Sequence, residues 1–290
     1  MKHPELILDI RATLGEGPMW NEREQALYFT DILESRMYRY SPSTGNLTRY
    51  RAEQFVGTVV SRQRGGLVLA AHRGIYAYDP DSEEMTLLAA PESDPDIRFN
   101  DGKCDPRGRF WAGTMSMSGR NGAGALYRLD ADGSLYRVLE GVGISNGLGW
   151  SPDGGIMYFI DTPTRTVSAF DYDMETGSVA NRRTVIEVPE SEGFPDGMTV
   201  DEEGKLWIAH WGGYQIARWD PATGRKLASW RLPVPNVSSC AFGGPGMDVL
   251  FITTAREGLS PGQLKQYPHS GSLFRLEAGV KGAVSYEFGG

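Results

Sequence analysis

Cysteine and positive charge are both scarce in this sequence of 290 residues. Its two cysteines, Cys104 and Cys240, do not form a CxxC pair, which argues against a disulfide framework and a thiolate metal site. We expect both to be small buried residues. Lysine and arginine number 29 against 37 aspartates and glutamates, giving a net charge of -8. This balance disfavours nucleic acid and anionic membranes as partners, because both are bound through clusters of basic residues.

Long apolar runs and helical periodicity are also missing. The N-terminal stretch is interrupted by Glu5, Asp9 and Arg11, so it has no signal-peptide core, and no later window is long enough to span a membrane. We therefore expect a cytoplasmic protein. No segment combines sustained helical periodicity with capping signals, which disfavours a parallel α/β fold. The four histidines lack the spacing of a zinc site.

One short apolar segment recurs six times along the chain. Equivalent residues in successive copies are 40, 43, 47, 49 and 44 positions apart, and a period of this size is typical of repeat architectures. The copies are ALYFTDI from Ala26, GLVLAAH from Gly66, RFWAGTM from Arg109, IMYFIDT from Ile156, KLWIAHW from Lys205 and VLFITTA from Val249.

Each copy is followed by a segment of alternating apolar and polar residues that ends in a turn, as in GIYAYDPDSE and QIARWDPATG. A further weak strand and a preceding apolar segment bring most repeats to four strands. This pattern predicts an all-β fold, a six-bladed β-propeller of four antiparallel strands per blade that occupies residues 1–290 as a single domain. Solenoid repeats are usually shorter, and paired sandwiches do not require six equivalent strand pairs. We expect ELILDI, residues 5–10, to close the ring beside AVSYEF, residues 283–288.

Polar residues recur at one register of the predicted innermost strands. Counting back 10 or 11 positions from the apolar segment reaches an oxygen-bearing side chain in four of the six repeats. Because equivalent positions of a propeller form a ring around its axis, we expect these side chains to converge. An all-oxygen set suits Ca²⁺, Mg²⁺ or Mn²⁺, and the carboxylates also leave Zn²⁺ open. The four residues are Glu16, Asn100, Asn146 and Asp196.

Several of these residues also belong to ordinary turn sequences. In RFNDGKCDPRGRFWAGTM, residues 98–115, we interpret Asp101, Gly102 and the Asp105-Pro106 pair as turn formers. Arg98 lies two positions before Asn100 and shares its face if the strand is regular. The stretch GISNG matches the G-x-S-x-G pattern of a nucleophile elbow, but a β-strand follows it instead of a helix, so Ser145 is not favoured as a nucleophile.

Five motifs in order resemble the gluconolactonase/regucalcin (senescence marker protein) family, and its bacterial sugar-lactonase members in particular. They are LGEGPMW, RFNDGKCDPRGRFWAGTM, ISNGLGWSPDG, FPDGMTVDEEGKLWIAHWGG and LFITTAR. The likeness extends from Leu14 to about Tyr267. It implies a six-bladed propeller with one divalent metal ion at the mouth of its channel, Ca²⁺ being favoured over Mg²⁺, Mn²⁺ and Zn²⁺.

The resemblance also implies roles for individual residues. Glu16, Asn146 and Asp196 match the family's metal ligands, and Arg98 and Asn100 match its substrate-contacting pair. Where animal members carry a substrate-binding carboxylate, an ungapped match places Ser118.

The implied activity is hydrolysis of a sugar aldono-1,4- or 1,5-lactone to the aldonic acid, with the metal polarising the lactone carbonyl and Asp196 activating water. Two alternatives stay open: a non-catalytic metal-binding propeller scaffold, and a phosphotriester hydrolase of the same fold. Oxidation of a sugar is disfavoured, because GVGISNG lacks the glycine spacing of a dinucleotide site and no helix follows it.

Overall fold

Six four-stranded antiparallel sheets form the framework of the computed structural model, which describes residues 3–290. The innermost strands of these sheets contact one another in a closed ring around a central axis. The all-β class and the six-bladed β-propeller predicted from the repeats are therefore confirmed.

The blades are numbered along the chain, and their strands are given from the axis outward. Blades 1 to 3 contain β2 (Gly15–Asn21), β3 (Ala26–Asp31), β4 (Arg36–Ser41) and β5 (Asn46–Arg51); β6 (Val56–Ser61), β7 (Leu67–Ala71), β8 (Gly74–Tyr78) and β9 (Met85–Ala89); and β10 (Ile97–Cys104), β11 (Phe110–Ser116), β12 (Gly124–Leu129) and β13 (Leu135–Val142).

Blades 4 to 6 contain β14 (Ser145–Trp150), β15 (Ile156–Asp161), β16 (Thr166–Asp173) and β17 (Ser178–Glu187); β18 (Phe194–Val200), β19 (Leu206–Trp211), β20 (Gln215–Asp220) and β21 (Arg225–Arg231); and β22 (Val237–Gly243), β23 (Val249–Thr254), β24 (Leu273–Glu277) and β1 (Glu5–Leu8). Two single-turn 3₁₀ helices are present: Thr162–Thr164 connects β15 to β16, and Glu190–Glu192 lies in the connection from β17 to β18.

The recurring apolar segment is the second strand of every blade. Neighbouring blades cover both of its faces, so its residues are apolar without alternation, and all six residues of β3 are buried. The outermost strands face solvent, and β5 buries none of its residues. This difference explains why the second strand gave the clearest repeat in the sequence and the outer strand the weakest.

Six apolar clusters hold the ring together, each between two adjacent blades. Between blades 2 and 3, for example, Val60 and Val68 pack with Phe99 and Phe110. Burying one such side chain contributes about 1.5–3 kcal/mol to folding. Because every blade shares an apolar cluster with both neighbours, the innermost strands are held in fixed positions around the axis.

A repeated aspartate–tryptophan contact fixes the turn between the first and second strands in blades 3 and 5. Asp105 accepts hydrogen bonds from the backbone of Arg107 and Arg109 through one oxygen and from Trp111 Nε1, at 2.9 Å, through the other. Asp201 accepts from Trp207 Nε1 in the same way, also at 2.9 Å. The Asp105-Pro106 turn predicted from the sequence thus carries a buried carboxylate that joins the turn to the core.

The ring closes in blade 6 by pairing the N-terminal strand with the last strand of the chain. As expected, residues of ELILDI form the added strand β1, but β1 pairs with β24, so the predicted neighbour AVSYEF is wrong. Residues 283–288 instead pass along the end of the central channel, where Ala283 bonds the Val200 carbonyl and Phe288 bonds that of Ser61. Both are extended, alternating segments, and the sequence pattern does not distinguish a ladder strand from an extended segment of this kind.

One α-helix, α1 (Pro261–Gln266), lies in the long connection between β23 and β24. Ser260 and Gln263 form a reciprocal capping box at its start. Six residues are too few to show the sustained helical periodicity that the sequence lacks, although the capping residues themselves are present. Within residues 3–290, no helix has both the length and the apolar character needed to cross a membrane.

Candidate active site

The innermost strands that carry the predicted site residues share a break in their pairing with the second strand. In β10, Phe99 pairs with Thr114 and Gly102 with Ala112, so Asn100 and Asp101 form a bulge between these pairs. A bulge re-aims side chains out of the regular alternation. Equivalent breaks occur between Glu16 and Met19 in β2, Ser145 and Leu148 in β14, and Pro195 and Met198 in β18. The four residues of the predicted ring therefore lie at or inside a bulge: Glu16, Asn100, Asn146 and Asp196.

Glycine follows the bulged side chains because the innermost strands approach one another closely. A Cβ atom on Gly147 would lie 2.9 Å from the carbonyl oxygen of Asp196 and 2.5 Å from the Cβ of Met198. Any side chain at this position would push β14 away from β18. Gly147 thus sets the spacing between the strands that carry Asn146 and Asp196.

Glu16 and Asp196 are two buried carboxylates, each only 5% exposed. Burial raises the pKa of Glu16 to about 8, and the charge of Asp101 contributes to the rise. Burial also raises the pKa of Asp196 well above its ordinary value, with Glu16 as the next cause. Among residues 3–290 neither carboxylate forms an ion pair. Two interacting buried carboxylates that pair with no basic side chain among these residues form an arrangement that a bound cation would stabilise.

A chain of side-chain hydrogen bonds joins Arg98, Asn100 and Asn146. Arg98 Nη1 donates to Asn100 Oδ1 at 2.7 Å, and Asn100 Nδ2 donates to Asn146 Oδ1 at 3.3 Å. Asn146 Nδ2 donates in turn to Thr162 Oγ1 at 2.8 Å. Since all four side chains are held by neighbours from blades 3 and 4, the two amides are oriented before any ligand binds.

Arg98 is a buried cation, 5% exposed, without an ion-pair partner in the described part of the chain. Its Nη1 donates to the Phe99 carbonyl and to Asn100, whereas Nε and Nη2 make no hydrogen bond to any residue from 3 to 290. Burial lowers the pKa of the guanidinium. Three carboxylates oppose that decrease, in order from the largest effect to the smallest: Glu257, Glu16 and Asp196. Arg98 therefore retains free donors at the site, as a group that binds oxygen atoms of a ligand would.

Asp101 is a site neighbour that the sequence interpretation missed. It was interpreted as a turn former together with Gly102, but both lie within β10, and Asp101 is only 8% exposed. Its charge acts on both Glu16 and Asp196. The Asn-Asp-Gly triplet gave no signal of this position, because the bulge that places two consecutive side chains toward the axis depends on the pairing with β11.

Below these residues the central channel contains a cavity of about 470 Å³ that is lined by all six innermost strands. Lys103 lies in its wall and donates to the carbonyl oxygen of Met198 at 2.8 Å. Burial lowers the pKa of Lys103, and the charge of Asp101 opposes this change. Residues 282–287 line the far end of the cavity, so the channel mouth with the predicted site is the opposite one.

Ser118 is not connected to the other predicted site residues. Its hydroxyl donates to Asp96 Oδ2 at 2.8 Å and its backbone N–H donates to Asp96 Oδ1, also at 2.8 Å. Asp96 binds Ser116 and Arg120 as well, which makes this an exposed polar cluster after β11. The proposed role of Ser118 as a substrate contact rests on an ungapped match and remains a prediction.

The residues set aside in the sequence occupy structural positions. Ser145 lies fully buried inside β14, with no helix after it. Cys104 and Cys240 are free and buried, as expected. His210 is buried against Trp219 and its Nδ1 lies 2.9 Å from the Glu192 carbonyl oxygen. Burial lowers the pKa of this histidine, which favours the neutral ring.

The donor set at the channel mouth fits a hard divalent cation. Among residues 3–290 no group of three His, Cys, Asp or Glu side chains is arranged to hold a metal by itself. A metal site here would therefore need the amide oxygen of Asn146 in addition to Glu16 and Asp196. Carboxylate and amide oxygens are the donors that Ca²⁺ and Mg²⁺ prefer.

Comparison with known proteins identifies the family of this chain. Residues 14–256 match the family model described as the SMP-30/Gluconolactonase/LRE-like region. Regucalcin of Danio rerio is 40% identical over 289 residues, which covers 99% of this chain and 98% of the relative.

Solved structures share the fold over nearly the full length. A calcium-binding regucalcin of Agrobacterium tumefaciens is 28% identical and has a TM-score of 0.93. The match covers 99% of this chain and 97% of that regucalcin. A gluconolactonase of Xanthomonas campestris is 26% identical and has a TM-score of 0.77. The match covers 94% of this chain and 89% of that gluconolactonase. The resemblance seen in the five sequence motifs is thereby confirmed, and the chain belongs to the SMP-30/Gluconolactonase/LRE-like family.

Proposed function

We propose that this protein hydrolyses a sugar lactone, an aldono-1,4- or 1,5-lactone, to the aldonic acid at the channel mouth. Membership of a family named after gluconolactonase supports lactone hydrolysis as the class of activity. The observation that carries the assignment to this site is the combination of two buried carboxylates that form no ion pair within residues 3–290 with a buried arginine that keeps donors free of hydrogen bonds there. A neutral polyhydroxylated ester would meet both a cation site and a hydrogen-bond donor there.

The proposed metal ligands are Glu16, Asn146 and Asp196. Their all-oxygen chemistry favours Ca²⁺, with Mg²⁺, Mn²⁺ and Zn²⁺ as alternatives. A divalent ion bound there would supply Lewis-acid polarisation of an ester carbonyl. The raised pKa of Glu16 and of Asp196 supports this set, because a bound cation would favour the ionised form of both.

Asp196 is the proposed general base. Its carboxylate would accept a proton from the attacking water, and the Asn146 amide opposes the rise in its pKa. The side chain comes from the bulge of β18, and β14 packs directly against that strand. This rigid support would hold the carboxylate in one orientation, so little reorganisation would be needed when the proton moves.

Arg98 and Asn100 are the proposed substrate-binding pair. Arg98 would direct Nε and Nη2 to the ring or hydroxyl oxygens of the sugar. Asn100 would be held by its bond from Arg98 and by its own 2.8 Å bond to the Ser145 carbonyl. Their role is to place the lactone relative to Asp196, because effective catalysis depends on the position of the reacting carbon.

A pH-stat assay over pentonolactones and hexonolactones tests this function. We expect acid release with at least one sugar lactone, loss of the rate on adding a chelator, and recovery on adding Ca²⁺. Metal binding without turnover of any lactone would favour the non-catalytic scaffold, and turnover confined to phosphotriesters would favour the other hydrolase. A lactone-opening rate that chelation leaves unchanged would contradict the metal-dependent site.

A further inference from the structure

Regular strand pairing is interrupted at Asp196, the proposed general base. Pairing with β19 stops at Pro195 and resumes at Met198, so Asp196 and Gly197 lie in the bulge of β18 between these two residues. A bulge locally disrupts the ladder hydrogen bonds that hold a strand to its neighbour. The position of the Asp196 carboxylate therefore depends on contacts that come from outside this ladder.

Both backbone carbonyls that bracket the bulge accept hydrogen bonds from side chains of other blades. The Pro195 carbonyl accepts from Thr162 Oγ1 at 2.8 Å, and Thr162 begins the 3₁₀ turn after β15 in blade 4. The Met198 carbonyl accepts from Lys103 Nζ, also at 2.8 Å, and Lys103 belongs to β10 in blade 3. The segment that carries Asp196 is thus held at both ends by groups outside blade 5.

The hydrogen bond from Lys103 joins two blades that are not neighbours. The innermost strand of blade 4, β14, packs against both β10 and β18 and separates them. Lys103 lines the central cavity, and its ammonium ends a four-carbon stem that gives it the necessary reach. Because β10 also carries Arg98 and Asn100, this bond connects the proposed substrate-binding strand directly to the strand of Asp196.

The chemistry of Lys103 indicates that its hydrogen bond has a role beyond filling the cavity wall. Within residues 3–290 the ammonium forms no ion pair, and its hydrogen bond there goes to the Met198 carbonyl. Removing a charged group from water is costly unless hydrogen bonds compensate, and an apolar residue would fill the same wall without that cost. A hydrogen bond from a charged donor is also stronger than one between neutral groups, so it holds the carbonyl firmly.

We propose that Lys103 is a positioning residue for lactone opening. By holding the Met198 carbonyl, it keeps the Asp196 carboxylate in a fixed place relative to Arg98 and Asn100, and thereby relative to the lactone that this pair would bind. The inference rests on the proposed function and adds a residue that acts through Asp196. A displacement of about 1 Å at a reacting group costs about 10²-fold in rate, so loss of this bond would be visible in kcat. Because Asp196 is also a proposed metal ligand, its displacement would weaken calcium binding as well.

Lys103→Met tests the proposal, because it removes the donor while retaining an unbranched side chain in the cavity wall. We expect kcat for a sugar lactone at saturating Ca²⁺ to fall about tenfold, with KM within about twofold of wild type because Arg98 and Asn100 are unchanged. Calorimetry should show calcium binding weakened by about threefold or more. Lys205→Met is the matched control: it removes a 2.8 Å bond to Asp220 within blade 5 and should leave kcat and calcium affinity within about twofold of wild type.

Lys103→Gln, whose amide ends one atom short of the lysine ammonium, should show the same separation of kcat from KM, and it replaces the methionine variant if that variant does not fold. Three results would overturn the inference: wild-type kcat and calcium affinity in the Lys103 variants, a change confined to KM, or an equal loss of kcat in Lys205→Met. Lactone opening by the wild-type protein with an unchanged kcat in the Lys103 variants would reject this inference and retain the proposed function. Calcium binding that depends on Lys103, without turnover of any lactone, would retain the positioning of Asp196 and reject the hydrolase.

Discussion

Arg98 Nη1 donates a 2.7 Å hydrogen bond to the side-chain oxygen of Asn100, two positions further along β10. This bond fixes the orientation of the Asn100 amide, whose N–H groups point to blade 4 and bond Ser145 and Asn146. Arg98 consequently orders a neighbour of the proposed metal ligand while leaving its own Nε and Nη2 for a substrate. The hydrogen bonds from Asn100 thus extend this arrangement from blade 3 to blade 4.

Replacing Arg98 tests its proposed positioning role. We expect Arg98→Ala to raise KM for a sugar lactone by about tenfold with a smaller change in kcat, because the lost donors bind ground state and transition state alike. Arg98→Lys should recover only part of the loss, since one ammonium group does not reproduce the planar set of donors. Steady-state kinetics at saturating Ca²⁺ measures both effects, and a loss confined to kcat would count against positioning.

The raised pKa of Glu16 predicts how the metal-free protein responds to pH. Its folded pKa of about 8 lies above the ordinary value of 4.5, so the folded state prefers the protonated carboxyl. The stability from this group is complete below about pH 4.5 and is lost as pH rises to about 8. We expect the Tm measured with chelator to fall over this interval, and Ca²⁺ to reverse the fall.

Glu16→Gln provides the matched variant for that titration. It keeps an amide oxygen but cannot ionise, so its chelated form should be more stable than the chelated wild type near pH 8, by up to a few kcal/mol. At about pH 5 the two proteins should be similar. Parallel Tm curves for the two proteins across the whole interval would show that Glu16 is not the group responsible.

His210 predicts a second pH effect of opposite sign. Its buried ring lies against Trp219, and burial lowers its pKa below the ordinary value of 6.5. The unfolded chain therefore binds the proton more readily, and stability present above about pH 6.5 declines as pH falls below it. His210→Gln should reduce the slope of Tm against pH between about pH 7 and 5. An unchanged slope would remove His210 as a source of acid sensitivity.

The sequence predicted the propeller and the register of Glu16, Asn100, Asn146 and Asp196 for one physical reason. The second strand of each blade is buried on both faces, so it repeats as a recognisable apolar segment, and the bulged residues lie at a nearly constant distance before it. A residue that recurs at a constant distance from the repeated apolar segment can therefore be located by counting along the sequence.

Features that occur in only one blade were missed. Asp101 was interpreted as part of a turn because a second carboxylate in the bulge occurs in blade 3, whereas blades 4 and 5 have Gly147 and Gly197 at that position. The hydrogen bond from Lys103 skips blade 4, and no repeat register predicts a contact between blades that are not neighbours. The segment 283–288 alternates like a strand, yet its hydrogen bonds go to the ends of β18 and β6 instead of a neighbouring ladder.

The most direct test of the account is the rate of sugar-lactone opening by Asp196→Asn at saturating Ca²⁺. Asparagine keeps an oxygen for the metal but cannot accept the proton, so we expect the variant to fold and bind Ca²⁺ while its rate falls by about 10²–10⁴-fold. Asp171→Asn, which changes an exposed carboxylate on β16, should retain wild-type turnover. Undiminished lactone opening by a calcium-loaded Asp196→Asn protein would contradict the proposed site.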